Sequence, residues 1–92
     1  NSPLNVNFLA KSQLNLSNKF AGSLEKRWVK TKYKIADNNV PFFPESLGLL
    51  EAKVEKKVIS GDHTIIICLI TNCIKLKTKK PLIYYKSKYH TV

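Results

Sequence analysis

Leu4, Val6 and Phe8 alternate strictly with Asn5 and Asn7, which is the period of a half-buried strand and predicts one over residues 4–9. Ser12 then stands where it can cap a helix running to about Phe20, with Leu16 and Phe20 four apart on one face. Gly22 follows as a residue permissive of left-handed geometry, a natural helix stop. Residues 23–46 are weakly patterned. They hold Trp28, Tyr33, an Asp37-Asn38-Asn39 turn signal and Pro41-Phe42-Phe43-Pro44, and predict a long connection with one helical turn near Leu24 to Trp28. Loops of that length in a compact domain are functional or disordered, and the aromatics favour a packed cover. Two long strands come next, 47–59 and 63–76, joined by a Ser60-Gly61-Asp62 turn. The first alternates around Leu50, Ala52 and Val54. The second is nearly continuous isoleucine and leucine, as expected of a strand covered on both faces or forming a barrel wall. Residues 77–80 read as an exposed turn, and 81–85 with 89–92 as a last strand. No internal repeat, low-complexity tract or domain linker interrupts this order.

Ninety-two residues make one small domain, and a chain this short buries only roughly 60–65% of the surface its unfolded form exposes. The chain has no methionine and begins at Asn1, so it reads as a piece of a longer protein. Sixteen Lys+Arg against six Asp+Glu give a net charge of +10, which attracts nucleic acid, anionic lipid or phosphorylated ligands. The basic residues are scattered, however, and Arg27 is the sole arginine. Arginine is the favoured residue for bidentate phosphate and base contacts, so the lysines read as solvated faces and nucleic acid is not the expected partner. Cys68 and Cys73 are five apart in one strand, with side chains on opposite faces, and cannot bridge each other. Two cysteines, with His63 and His90 far apart, make a closed four-ligand metal site unexpected. A reducing, cytoplasmic setting follows from that cysteine usage. No apolar run approaches the roughly 18 residues of a membrane span.

His63 follows the glycine turn at the mouth of an apolar strand, where an imidazole can donate a hydrogen bond or a proton near neutral pH. The spacing alone is better served by a histidine that bonds within its turn, helped by Asp62. Tyr84, Tyr85 and Tyr89 with Lys86 and Lys88 form an aromatic and basic cluster able to stack a base or nicotinamide and neutralise a phosphate. Strand ends also carry tyrosines for β propensity alone. There is no glycine-rich phosphate loop, nucleophile elbow or helical His-Glu-x-x-His motif, so any dinucleotide is not held through a Rossmann fingerprint.

Three segments carry a resemblance: Val6-Asn7-Phe8-Leu9-Ala10-Lys11-Ser12-Gln13-Leu14-Asn15-Leu16-Ser17-Asn18-Lys19-Phe20-Ala21-Gly22, Gly61-Asp62-His63-Thr64-Ile65-Ile66-Ile67 and Pro81-Leu82-Ile83-Tyr84-Tyr85-Lys86-Ser87-Lys88-Tyr89. In this order and spacing the chain resembles the second half of the flavin-reductase-like, FMN-binding split-barrel family. The resemblance implies a mainly β, antiparallel split barrel of Greek-key type with one or two short helices, here an incomplete domain whose C-terminal portion is residues 1–92. It implies NAD(P)H-dependent flavin reduction, with FMN or FAD as cofactor, NADH or NADPH as co-substrate, a homodimer, and an oxygenase accepting the reduced flavin. Leu16-Ser17-Asn18-Lys19-Phe20-Ala21 matches the family's leucine-serine-any-any-phenylalanine-alanine motif, placing Lys19, Phe20 and Ala21 at the flavin. The same resemblance makes His63 the catalytic residue that faces the cofactors, and Tyr85 with Lys86 the holders of the dinucleotide. Gln13 matches a family position too and reads as helix-start structure. Cys68-Leu69 departs from the family's usual glycine and glutamate, and Ala52 replaces the cysteine that follows the shared Glu51. Two other readings stand beside this one: a small basic barrel binding single-stranded nucleic acid through its tyrosines and lysines, and a remnant of the fold without cofactor.

Overall fold

The computed structural model describes residues 2–85 and 88–90, with backbone alone at Leu24, Tyr85 and His90. In chain order it forms β1 (Pro3–Phe8), a 3-10 turn (Lys11–Gln13), α1 (Leu14–Ala21), a second 3-10 turn (Leu24–Lys26), β2 (Lys34–Ile35), β3 (Pro41–Phe42), β4 (Gly48–Ser60), β5 (His63–Lys75), β6 (Ile83–Tyr85) and β7 (Lys88–His90). The main sheet has the order β1-β4-β5, antiparallel throughout, and β2-β3 and β6-β7 are separate antiparallel hairpins. No described helix is long and apolar enough to cross a membrane.

β4 is the central strand and both of its faces are covered near β1. Asn5, Glu51 and Asn72 line up across one face, while Val6, Leu50 and Cys73 line up across the other. The buried residues of β4 are Leu49, Glu51, Ala52 and Val54, not the simple alternation through Leu50 that the pattern predicts. The reason is the cover: the 35–42 stretch lies over Leu49, Ile74 and Leu76. The register also slips twice, leaving Thr71 unpaired opposite the Glu51–Ala52 step and Glu55 unpaired between Val54 and Lys56. Each slip is a β-bulge, which inserts one residue and sharpens the local twist.

The β4–β5 arm beyond the bulges runs free of the rest. Gly61 turns it at φ 60°, the left-handed region that glycine enters without steric penalty. Ile65, Ile66, Ile67, Leu69 and Ile70 of β5 are all about half exposed. The apolar run therefore does not find its two-sided cover among these residues, because β5 is an edge strand of a sheet that does not close.

Two helix-end expectations are corrected. Ser12 does not cap: it lies within the 3-10 turn, whose N-cap is Ala10, where Gln13 Oε1 accepts the Ala10 N–H at 2.8 Å and Gln13 N–H returns to the Ala10 carbonyl at 2.9 Å. Gln13 is buried and its amide also donates to Ser46 Oγ at 3.2 Å, so it fixes the helix start to the strand entrance. Gly22 leaves α1 at φ −94°, on the side open to any residue, since the chain extends toward Ser23 without a left-handed cap. The Asp37-Asn38-Asn39 turn forms as expected, with Asn39 at φ 64° joining β2 to β3. The chain end expected as one strand is instead the β6–β7 hairpin. Its base is held by Leu82 N–H to the Leu9 carbonyl and Lys11 N–H to the Lys80 carbonyl.

Candidate functional site

The C-terminal end of α1 is built around an aromatic group. The Phe20 ring meets Trp28 edge-on at 5.0 Å and Phe43 at 5.1 Å, and Trp28 in turn meets Tyr33 at 5.2 Å. Edge-to-face contacts of this length are the favoured aromatic geometry. They hold the irregular 23–46 segment against the helix. Beside them opens a cleft of about 350 Å³ walled by Phe20, Trp28, Pro41 and Phe43, with Asn5 and Asn7 on its sheet side.

Amide hydrogen bonds set that wall in place. Asn7 Oδ1 accepts the Phe43 N–H at 3.0 Å, and Asn5 donates to the Val40 carbonyl at 3.1 Å. Asn38 donates its side-chain amide to Asn5 Oδ1 at 2.6 Å and its backbone N–H to Glu51 Oε1 at 2.9 Å. The other carboxylate oxygen of Glu51 accepts from Asn72 at 3.1 Å. Glu51 is 2% exposed, so these donors are what make a buried carboxylate tolerable. The alternation of Asn5 and Asn7 signals a polar strand face in the sequence; that the 37–43 loop would cover this face is not signalled.

A second cleft of about 460 Å³ is lined by Ser12, Asn15, Leu16, Lys19, Lys30, Thr31, Lys32 and Glu45, and shares Phe43 with the first. Lys19 Nζ donates to the Val29 carbonyl, which tethers the 27–31 turn to α1. Glu45 at its rim is paired with Lys79 at 3.0 Å and Lys77 at 3.8 Å. The Lys79 hydrogen bond, then the Lys77 charge, holds the Glu45 carboxyl below its ordinary value.

The structure brings some of the expected residues together and not others. Lys19 lines the lysine-bearing cleft, Phe20 the aromatic one, and Ala21 is exposed at the end of the same helix. His63 stands at the tip of the β4–β5 arm with its side chain 84% exposed and Nε2 3.4 Å from Asp62 Oδ1. It lines neither cleft. The backbone of Tyr85 pairs with Lys88 in the β6–β7 hairpin; its side chain, and Lys86 altogether, lie outside the described residues. Tyr84 and Tyr89 pack edge-on at 5.1 Å, and the Tyr89 hydroxyl lies 2.8 Å from Ser17 Oγ on α1. The hairpin is thereby docked on the helix that carries Lys19, Phe20 and Ala21.

The sequence profile of the flavin reductase like domain matches residues 1–92. The chain belongs to that family. A flavin reductase relative, the FMN reductase (NADH) RutF of Pseudomonas syringae pv. syringae (strain B728a), is 28% identical over 92 residues, covering 98% of this chain and 52% of its own length. The structure of flavin reductase HpaC complexed with NADP+ superimposes with a TM-score of 0.85 at 27% identity, over 98% of this chain and 58% of that one. The styrene monooxygenase flavin reductase SMOB of Pseudomonas putida S12 gives a TM-score of 0.85 at 25% identity, over 98% and 58%. The chain spans about half the length of the curated relatives it matches. The fold is the split-barrel type of these flavin reductases, mainly β with one short helix, its sheets not closed by these residues.

The residues present fit part of a flavin. The aromatic cleft lies within the roughly 300–1,000 Å³ range of small-molecule sites, and its apolar walls with amide groups at one side suit a flat heteroaromatic ring. Lys19, Lys30 and Lys32 lining the neighbouring cleft suit a phosphate.

Proposed function

We propose that the full-length protein is an NAD(P)H-dependent flavin reductase, with residues 1–92 forming the C-terminal portion of its single domain. The observation that carries this reading is the position of Lys19-Phe20-Ala21, where one helix end meets an aromatic-walled cleft on one side and a lysine-lined cleft on the other. When bound, flavin supplies the hydride-accepting ring and the nicotinamide supplies the hydride. The chain's part is to bind and orient. Phe20 is spent on packing against Trp28 and Phe43, which fixes the helix end. Ala21 is small and exposed there, so a ring edge can approach the backbone closely. Lys19 offers a cation to a phosphate.

His63, free of the protein body, has its ring available to orient the nicotinamide by a hydrogen bond, and Tyr85 with Lys86 holds the dinucleotide. FMN and NADH are the first choice of cofactor and co-substrate, supported by the activity named for RutF; NADPH stays in the set because HpaC binds NADP+. An oxygenase as acceptor of the reduced flavin is supported by the likeness to the styrene monooxygenase reductase. The protein works as a homodimer in the cytoplasm. The half-exposed isoleucines of β5 support the first point, being apolar surface that needs a cover, and two unpaired cysteines support the second.

His63→Ala in the full-length protein tests the reading. Loss of an orienting hydrogen bond of about 1–3 kcal/mol lowers the rate at subsaturating dinucleotide roughly 5- to 150-fold, with flavin affinity and melting temperature unchanged. Steady oxidation of NADH and NADPH with FMN, beside a flavin titration and a thermal melt, reads all three. Unchanged turnover in a folded variant returns His63 to a turn-stabilising role.

A further inference from the structure

Ser17 and Tyr89 are 72 positions apart in sequence, yet their hydroxyl oxygens stand 2.8 Å apart, with either able to donate. Both residues are half-buried. Ser17 sits one helical turn before Phe20 and Ala21, on α1. Tyr89 sits on β7, opposite Tyr84 in the hairpin ladder and edge-on to its ring. Among the described residues this is the one side-chain hydrogen bond between the β6–β7 hairpin and the rest of the chain. The other ties are the backbone bonds at the hairpin's base, Leu82 to Leu9 and Lys11 to Lys80. Those bonds locate the base of the hairpin. The hydroxyl pair, on the far strand, ties the hairpin to α1 away from that base.

Neither residue lines the aromatic or the lysine-bearing cleft, so a role in direct ligand contact is not what the geometry offers. We propose that the Ser17–Tyr89 hydrogen bond is a positioning contact that couples the β6–β7 hairpin to the helix bearing Lys19, Phe20 and Ala21, so that flavin and dinucleotide bind cooperatively. The proposal rests on the flavin reductase reading for the identity of its ligands. A ligand that orders the helix holds Ser17 in place and thereby orders the hairpin, leaving less to be ordered when the second ligand arrives. The coupling is reciprocal by linkage: the factor by which dinucleotide tightens flavin is the factor by which flavin tightens dinucleotide.

The test is a double-mutant cycle on the full-length protein with Ser17→Ala, Tyr89→Phe and the pair. Tyr89→Phe keeps the ring against Tyr84 and removes only the hydroxyl. FMN affinity is measured with and without saturating NAD+, the unreactive oxidised dinucleotide, and amide hydrogen exchange is followed over residues 83–90. Each single variant should lower the coupling factor roughly 2- to 10-fold and raise exchange in the hairpin by a similar factor, the worth of one hydrogen bond. The double variant should do no more than either single one. FMN affinity without NAD+ should barely move. A purely structural contact would instead weaken FMN binding equally with and without NAD+, and that outcome overturns the proposal. A wild type that binds no FMN overturns the functional reading and the coupling together, whereas a wild type that binds both ligands, with coupling unchanged in Tyr89→Phe, overturns the coupling alone.

Discussion

Glu51→Gln replaces one carboxylate oxygen by an amide nitrogen at a position only 2% exposed, and the hydrogen bonds around it determine the outcome. The carboxylate accepts the Asn38 N–H on one oxygen and the Asn72 amide on the other. Glutamine has a single acceptor oxygen. If that oxygen stays on Asn38, the new NH2 opposes the Asn72 NH2. Asn72 can turn its amide over, but its oxygen already accepts the Cys73 N–H at 3.0 Å, so turning moves the donor conflict without removing it. With Asn72 unturned the buried amide of the new side chain stays unpaired, at about 1–3 kcal/mol; with Asn72 turned the orphan is the N–H of Cys73, an exposed residue that water reaches, so the cost falls at the low end of that range. Relief of the desolvated charge offsets part of that, and the net expectation is a loss of about 1 kcal/mol. In a domain about twice this chain's length each kcal/mol is worth roughly 2–4 °C, giving a fall of about 2–4 °C in Tm. Calorimetry of the full-length protein reads the fall, and hydrogen exchange at the Asn38 amide reads its location. Flavin affinity should weaken too, because the 37–43 loop pinned by Asn38 carries Phe43, which holds Phe20. A melting temperature within about 1 °C of wild type, with Asn38 equally protected, would refute the reasoning.

Two further outcomes follow from the lysines. Lys79 and Lys77 hold the Glu45 carboxyl below its ordinary value, so the stabilisation is present above the unfolded-state value and is lost as pH falls through the folded-state one; Lys79→Ala should move the Glu45 titration upward by NMR, and an unmoved midpoint contradicts the pairing. Lys19→Ala should weaken FMN about fivefold and riboflavin hardly at all, as suits a partly exposed cation acting on a phosphate; equal losses for the two flavins would assign Lys19 to its contact with the Val29 carbonyl instead.

What was legible in the sequence was local. The Gly61 turn, the two strands it joins and the Asp37-Asn38-Asn39 hairpin turn all declare themselves through residues a few positions apart, and their observed bounds differ from expectation by about one residue. The bulges at Glu55 and Thr71 were not legible, because a bulge is a property of a pair of strands. Burial of Glu51 was hidden for a related reason: its cover, the loop around Asn38, comes from 13 positions away. Ser12 looked like a cap by residue type, yet buried Gln13 took that role because Ser46 stands within its reach. At the site, Phe20 was visible through its motif, but its partners Trp28 and Phe43 lay in a segment with no periodicity to read. The contact of Ser17 with Tyr89 joins two ends of the chain that no local pattern connects. The apolar run of β5 reads as a strand covered on both faces or forming a barrel wall, and these residues supply neither.

The most direct measurement is anaerobic mixing of the full-length protein with FMN and NADH, followed by the visible absorbance of the flavin. A flavin reductase built on this site bleaches the flavin at a rate proportional to protein and saturable in both FMN and NADH, with the same dependence on each in the presence of NADPH if that dinucleotide is used. Bleaching no faster than in protein-free solution, from a folded protein that binds FMN, would contradict the central claim.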